Sequence, residues 1–220
     1  MLNKILLIFA VLIALTSSCK KDPVDENNYP ADGLVSYFNF DDNLEDQVGT
    51  TPDGTNNGSA PFDAGKAGKA ISLNGSNQYI EFSRKTFRSG NNISVSLWVK
   101  RSGSTGLYFA ICNDFGMFTH PDGYAGMAIS VPQTENAHGD ITQNEWTHLV
   151  GTYDGANIKT YINGVLKGTK SWPGTISGWD ENLKLGMFSS ECWCGSMDEL
   201  FIYNKVLSQS EVEQLYNYHK

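Results

Sequence analysis

The segment that decides the fold is Trp146-Thr147-His148-Leu149-Val150-Gly151-Thr152-Tyr153-Asp154-Gly155-Ala156-Asn157-Ile158-Lys159-Thr160-Tyr161-Ile162-Asn163-Gly164-Val165-Leu166-Lys167-Gly168. Successive side chains of a strand point to opposite faces, so Trp146, His148 and Val150 share one face while Leu149 and Tyr153 share the other. That suits a central sandwich strand buried on its inner side. Asp154-Gly155 and Asn163-Gly164 bracket Ala156 to Ile162, and both pairs supply the positive φ that hairpin turns need. A tight meander is predicted over 146–170.

Working outward, Ile93, Val95, Leu97 and Val99 alternate with Ser94, Ser96 and Trp98, the pattern of a half-buried strand in an antiparallel sheet. Further short strands read at 34–40, 79–82, 107–112, 126–131, 183–187 and 197–203, with turn signals at Asn74-Gly75 and Asp122-Gly123. Only the C-terminal end looks helical. Ser208 with Glu211 forms a capping box, and Val212, Leu215 and Tyr216 lie on one helix face. Regularly spaced strands without an interior helix argue for two packed antiparallel sheets. No long repeat and no second linker interrupt residues 30–220, which read as one domain.

Of 220 residues, 40% are hydrophobic and 18% charged, which excludes disordered and coiled-coil classes. Sixteen Lys and Arg against 24 Asp and Glu leave a net charge of −8. With no basic cluster there is no footprint for a phosphate backbone, so no nucleic-acid partner is expected.

Residues 1–18 read as a signal peptide: Lys4 precedes an apolar run from Ile5 to Leu15, too short to span a bilayer. Thr16, Ser17 and Ser18 before Cys19 resemble the lipobox of bacterial lipoproteins, with Thr16 where Leu, Val or Ile is usual. The resemblance implies that Cys19 is acylated and anchors the chain to the outer membrane. Residues 19–29 are polar and aperiodic, a tether like that of Bacteroidetes-type surface lipoproteins. Without Cys19, the exported chain keeps Cys112, Cys192 and Cys194, so at most one disulfide forms and one thiol is left over. A structural disulfide is expected there rather than zinc.

Five ordered blocks carry a family resemblance: GLVSYFNFDDN at 33–43, GKAGKAISLNGSNQYIEF at 65–82, ISVSLWVK at 93–100, WTHLVGTYDGANIKTYINGVLKG at 146–168 and GSMDELFIYNKVLSQSEVEQLYN at 195–217. Together they resemble the laminin-G-like branch of the concanavalin A-like lectin/glucanase superfamily. The resemblance implies a jelly-roll β-sandwich with a short helix after the last strand, and a structural calcium ion near the terminal strands. It brings Asp41 and Asp198 together as candidate ligands, with Asn43 and Glu199 as second choices, since calcium takes carboxylate and carbonyl oxygens. Equally, Asp41 could begin an Asx turn and Asp198 could pair with a backbone donor. His148 between apolar neighbours reads as hydrogen-bonded packing, and no histidine metal site is expected.

Glucanases of the same superfamily carry their acids on one strand as E-x-D-x-E. This chain has no such triplet, and Asp198 and Glu199, being adjacent, are expected to face opposite sides of a strand. The expectation is therefore a monomeric carbohydrate-binding module without catalytic residues. A hydrolase or lyase of the same superfamily and a protein-binding adhesive module are the alternatives. Sugar recognition uses rings on loops held by a rigid scaffold. Residues 115–124 read as a ring-rich connection bearing Phe118 and Tyr124, and Trp172, Trp179 and Trp193 lie in or beside later loops. Trp172, Trp179, Tyr124 and Phe118 are the candidate sugar platforms, whereas Trp98 and Trp146 are expected to be scaffold.

Overall fold

The structure is a computed structural model that describes residues 28–49, 53–83, 91–103, 108–112, 115–130, 134–176 and 182–220, without the side chains of 110–112, 134 and 135. The signal peptide, Cys19, Trp179 and the Cys112 thiol lie outside that description. Among the described residues the chain order is β1 (Leu34–Phe38), β2 (Thr55–Asn57), β3 (Phe62–Ala64), β4 (Lys69–Asn74), β5 (Tyr79–Phe82) and β6 (Ile93–Arg101). Then follow β7 (Tyr108–Cys112), β8 (Phe115–His120), β9 (Tyr124–Ser130), β10 (Thr134–Asp140), β11 (Thr147–Tyr153), β12 (Asn157–Ile162) and β13 (Val165–Ser171). The last elements are β14 (Leu183–Leu185), β15 (Met187–Phe188), β16 (Glu191–Cys192), β17 (Cys194–Tyr203) and α1 (Gln209–Tyr218).

An eight-stranded sheet runs β13-β12-β11-β6-β17-β4-β3 with β1 on β17, and a seven-stranded sheet runs β10-β9-β8-β7-β14-β5-β2. All pairings within them are antiparallel, and the two sheets stack as the expected all-β, jelly-roll sandwich. The meander forms as its turns dictate. Asn163 and Gly164 both adopt positive φ, 50° and 81°, between β12 and β13. Asp154 Oδ1 accepts the Ala156 and Asn157 amides at 2.8 and 2.6 Å in the preceding turn. Leu149 and Tyr153 enter the inner core with Leu97, Met127 and Trp193.

Strands β6 and β11 are not half-buried as their pattern suggests, because a second apolar cluster covers the outer face of their sheet. Tyr29, Tyr37, Val150, Phe201 and Tyr203 pack there beneath Leu207, Val212 and Leu215 of the C-terminal segment. Burying each aliphatic side chain of that helix contributes about 1.5–3 kcal/mol. Ser94 and Ser96 of β6 are satisfied under it. Ser94 Oγ donates to Lys205 O at 2.7 Å and accepts from Leu207 N at 3.0 Å, and Ser96 Oγ meets His148 Nε2 at 2.9 Å. The capping box is present, with Glu211 N donating to Ser208 Oγ and Ser208 N to Glu211 Oε2.

Residues 115–124 are not a connection. Residues 115–120 are strand β8, hairpinned to β9 through the Asp122-Gly123 turn. Strand β10 carries no sequence signal either, since Thr134-Glu135-Asn136-Ala137-His138-Gly139-Asp140 has almost no apolar residue to alternate. It is fixed across the sandwich instead. Thr160 Oγ1 on β12 donates to Ala137 O at 2.7 Å and accepts Met127 N at 3.1 Å.

Candidate functional site

The β7–β10 register brings one set of side chains to the outer face of the seven-stranded sheet. Phe115, Met117, Ala125, Met127 and Ala137 enter the core, so alternate positions face out. In one cross-strand row Tyr108 opposes Phe118, Phe118 opposes Gly126 and Gly126 opposes His138. In the next row His120 opposes Tyr124, which opposes Asp140. A cleft of about 230 Å³ results, lined by Tyr108, Phe118, His120, Tyr124, Asn136 and His138.

Its walls are rings in mutual contact. His120 stacks on Tyr124 at 4.4 Å and 8°, His138 lies 4.8 Å from the same ring, and Phe118 meets it edge-on at 6.1 Å. Tyr108 packs edge-on against Phe118 at 6.0 Å and against Phe188 at 5.2 Å. Phe188 is 44% exposed and extends the belt beyond the cleft. The floor is low at Gly126, where a Cβ would run into the Ala137 carbonyl of β10. His120 Nδ1 lies 3.1 Å from the Asp122 amide and 3.3 Å from Asp122 Oδ2. Nδ1 accepts the Asp122 amide and so does not also donate to Asp122 Oδ2. Burial raises the Tyr108 phenol, which stays a donor. The site thus offers ring faces and edges, hydroxyls, imidazole nitrogens and the Asn136 amide.

Of the sequence-derived platforms, Phe118 and Tyr124 come together here, with His120 stacked on Tyr124 and His138 tilted against it. Trp172 does not join them. Half-buried against the core, it is tied by its amide to Ala156 O at 2.7 Å, and Tyr153 Oη donates to its carbonyl at 3.0 Å. Trp193 is fully buried, its Nε1 donating to Thr119 Oγ1 at 2.7 Å, and so is no platform. Tyr108, His120, Asn136, His138 and Phe188 were missed; the one available signal was the Asp122-Gly123 turn, which pairs residues 115–120 with 124–130.

The candidate calcium ligands divide. Asp198 is fully buried; its Oδ2 accepts the Lys66 and Ala67 amides at 2.8 and 3.0 Å, while its Oδ1 has no hydrogen-bond partner. Burial pushes its carboxyl up to about 8; the nearby Glu199 charge adds to this and the amides oppose it. Asp41 Oδ1 accepts Lys69 N at 2.7 Å, so Asp41 and Asp198 grip the same turn between β3 and β4. Asn43 is turned to its own chain, donating to Asp41 O and accepting Glu45 N. Glu199 does not face away from Asp198 across the strand. A bulge with Glu199 at φ 54° leaves Met197 and Leu200 both inward and puts both carboxyls on the outer side. There Glu199 Oε2 accepts Tyr37 Oη at 2.6 Å and lies 2.9 Å from His219 Nε2, off the line of a well-formed hydrogen bond. Among the described residues no three His, Cys, Asp or Glu side chains converge on one point. Cys192 and Cys194 are free thiols, with Cys192 Sγ 3.0 Å from Ser76 O and Cys194 Sγ 3.4 Å from Ser102 Oγ.

Solved structures share this architecture. Domain 4 of AbnA, a GH43 extracellular arabinanase from Geobacillus stearothermophilus determined with arabinotriose, is 28% identical with a TM-score of 0.70, covering 83% of this chain and 98% of that one. The binding domain of Paraclostridial Mosquitocidal Protein 1 is 20% identical at TM-score 0.70, covering 84% of this chain and 52% of its own. The binding domain of botulinum neurotoxin DC, solved in complex with SialylT, is 14% identical at TM-score 0.69, covering 88% and 52%. The two toxin domains share the fold alone, and this chain spans about half of their length. No curated protein matches the chain in sequence. The Laminin_G_3 profile, described as the concanavalin A-like lectin/glucanases superfamily, matches residues 74–213, more than half of the sequence, and the chain belongs to that family.

Proposed function

We propose that the chain binds glycans without cleaving them, and that the ligand lies on the outer face of the seven-stranded sheet across Tyr108, Tyr124 and His138. The observation that carries this reading is the ring-walled cleft itself. Apolar sugar faces pack on such rings while the Asn136 amide and imidazole nitrogens fix hydroxyls. The arabinotriose complex of the most nearly identical of the structures named above makes arabino-oligosaccharides the first probe. The one adjacent pair of acids in the last strand does not suggest hydrolysis, since Asp198 and Glu199 are 0% and 3% exposed and closed to a sugar. Calorimetric titration of arabinotriose and a panel of neutral oligosaccharides tests the reading. Tyr108→Ala and His138→Ala should each weaken binding about tenfold, near 1.4 kcal/mol, whereas Trp172→Ala should not. Wild-type affinity in both cleft variants, or a loss confined to Trp172→Ala, refutes it.

Two further parts of the proposal concern the ends of the chain. A calcium ion held by Asp198 and Asp41 fits the orphaned, buried Asp198 Oδ1, an oxygen that calls for a cation or a proton. It would fasten the β3–β4 turn to the terminal strands. Anchoring through acylated Cys19 to the outer membrane rests on residues 5–19 alone, and loss of fatty-acid labelling in Cys19→Ala is the outcome expected.

A further inference from the structure

A second cleft, of about 200 Å³, opens beside the first, lined by Asp140, Thr142, Glu145, Trp146 and Asn163 among others. Three observations join the two. Asp140 on its wall is the direct cross-strand partner of Tyr124 on the wall of the first, on the same face. The loop that frames it is tied to the first cleft's hairpin, since Ile141 N donates to Gly123 O at 2.8 Å. Strand β10 runs alongside both, from Asn136 to Asp140, a rise of about 13 Å. The same loop is fixed at its other end by Asn144 N, which donates to Arg101 O at 2.8 Å, so the second cleft has a rigid frame.

Its chemistry repeats that of the first. Trp146 is half-buried and lines the cleft. Lys100 Nζ sits 5.0 Å from the ring centroid and occupies one approach to it. Asp140 and Glu145 are exposed acceptors for hydroxyl donors. Their charge opposes an anionic chain, with Lys100 as the cation over Trp146. Asn163 Oδ1 already accepts His148 N at 3.0 Å, which fixes the orientation of the amide.

We propose that the second cleft is a further subsite for the same ligand, a neutral oligosaccharide that continues along β10 from the ring belt and ends on Trp146. The proposal rests on the glycan-binding reading of the first cleft and makes chain length, not the terminal sugar, the quantity that is recognised. Two subsites on one rigid frame act as linked sites, so a ligand long enough to reach both gains about tenfold or more in affinity.

The test titrates linear arabinotriose and arabinohexaose into the wild-type protein, Trp146→Ala and the double variant Asp140→Ala/Glu145→Ala, with melting temperatures as the folding check. The hexaose should bind wild type about tenfold tighter than the triose. Trp146→Ala should erase that difference while leaving triose affinity unchanged, and the acidic double variant, whose residues are exposed, should reduce it about threefold or more. Equal binding of the two saccharides by wild type overturns the second subsite and leaves the first. So does a hexaose advantage that survives in both variants. Binding of neither saccharide overturns both readings.

Discussion

Replacing His148 by glutamine should remove much of the acid sensitivity of the folded state. His148 is 2% exposed, with the rings of Trp98 and Tyr216 at 5.2 and 5.8 Å. Its Nε2 meets Ser96 Oγ at 2.9 Å, and its Nδ1 has no partner at all. A second proton would therefore bury both a charge and an N–H that nothing accepts. Burial holds the imidazole down at about 3, and the charge of His219 acts in the same direction. The unfolded chain takes up that proton near pH 6.5 and the folded chain does not, so the stabilising contribution is complete above about pH 6.5 and is lost as pH falls toward 3. At about 1.36 kcal/mol per pH unit, the interval sets a ceiling of about 5 kcal/mol, comparable with the whole stability of a small domain. Urea unfolding of wild type and His148→Gln at pH 7, 5.5, 4.5 and 3.5 measures it, and the difference between the two proteins cancels the titration of surface carboxylates. The variant should be less stable by about 1–2 kcal/mol at pH 7, through the altered hydrogen bond and packing, and more stable than wild type below about pH 5. A difference that stays constant across the series would show that His148 is not the titrating group.

Three other outcomes are expected. Thr119 Oγ1 accepts both Arg101 Nη1 at 2.9 Å and Trp193 Nε1 at 2.7 Å, so Thr119→Val orphans the indole and should cost about 2–4 kcal/mol, or roughly 5–15 °C by calorimetry; an unchanged melting temperature would discard the network as a stabilising element. Because the Asp198 carboxyl is pushed up to about 8, the folded protein without metal holds this proton, and its contribution is full below about pH 4 and lost as pH rises through about 8. Melting in chelator should then worsen toward pH 8, added calcium should reverse the loss, and Asp198→Asn should respond to neither; a wild-type melting point indifferent to calcium at pH 8 rules out the cation. Ser208→Ala should remove the capping box, cost about 1 kcal/mol, and raise amide exchange first in α1, where uniform exchange changes throughout the sandwich would contradict a local role.

The meander of β11, β12 and β13 is legible because two turn pairs and a clear inward set, Leu149 and Tyr153, agree on one register. The capping box of α1 is legible for the same reason, being local chemistry. Strand β8 is not, because a strand is recognised by contrast between its faces, and Phe118 and His120 outward are as aromatic as Phe115 is inward. A face that binds a ligand loses that contrast, so the candidate site was read as a connection for the very reason that makes it a candidate. Trp146 stands just before β11, where the alternation of that strand says nothing about the cleft beside it. The relation of Asp198 to Glu199 turns on one left-handed residue in β17, and nothing in Met197-Asp198-Glu199-Leu200 marks a bulge.

Thr119 links the stability of the sandwich to the cleft. It lies on β8 between Phe118 and His120 and points inward while they point out, so the bonds that Arg101 and Trp193 make to it also set the position of two cleft walls. Rings held this way would meet a sugar already ordered, which spares the immobilisation cost of a side chain, about 0.5–1.5 kcal/mol each. Thr119→Val should therefore weaken glycan binding even at a temperature where the fold is intact, although Thr119 touches no ligand. His148→Gln, under the helix on the other sheet, should leave binding alone. If the two variants affect affinity equally, the cleft is responding to global stability, and the belt of rings owes nothing to its inner supports.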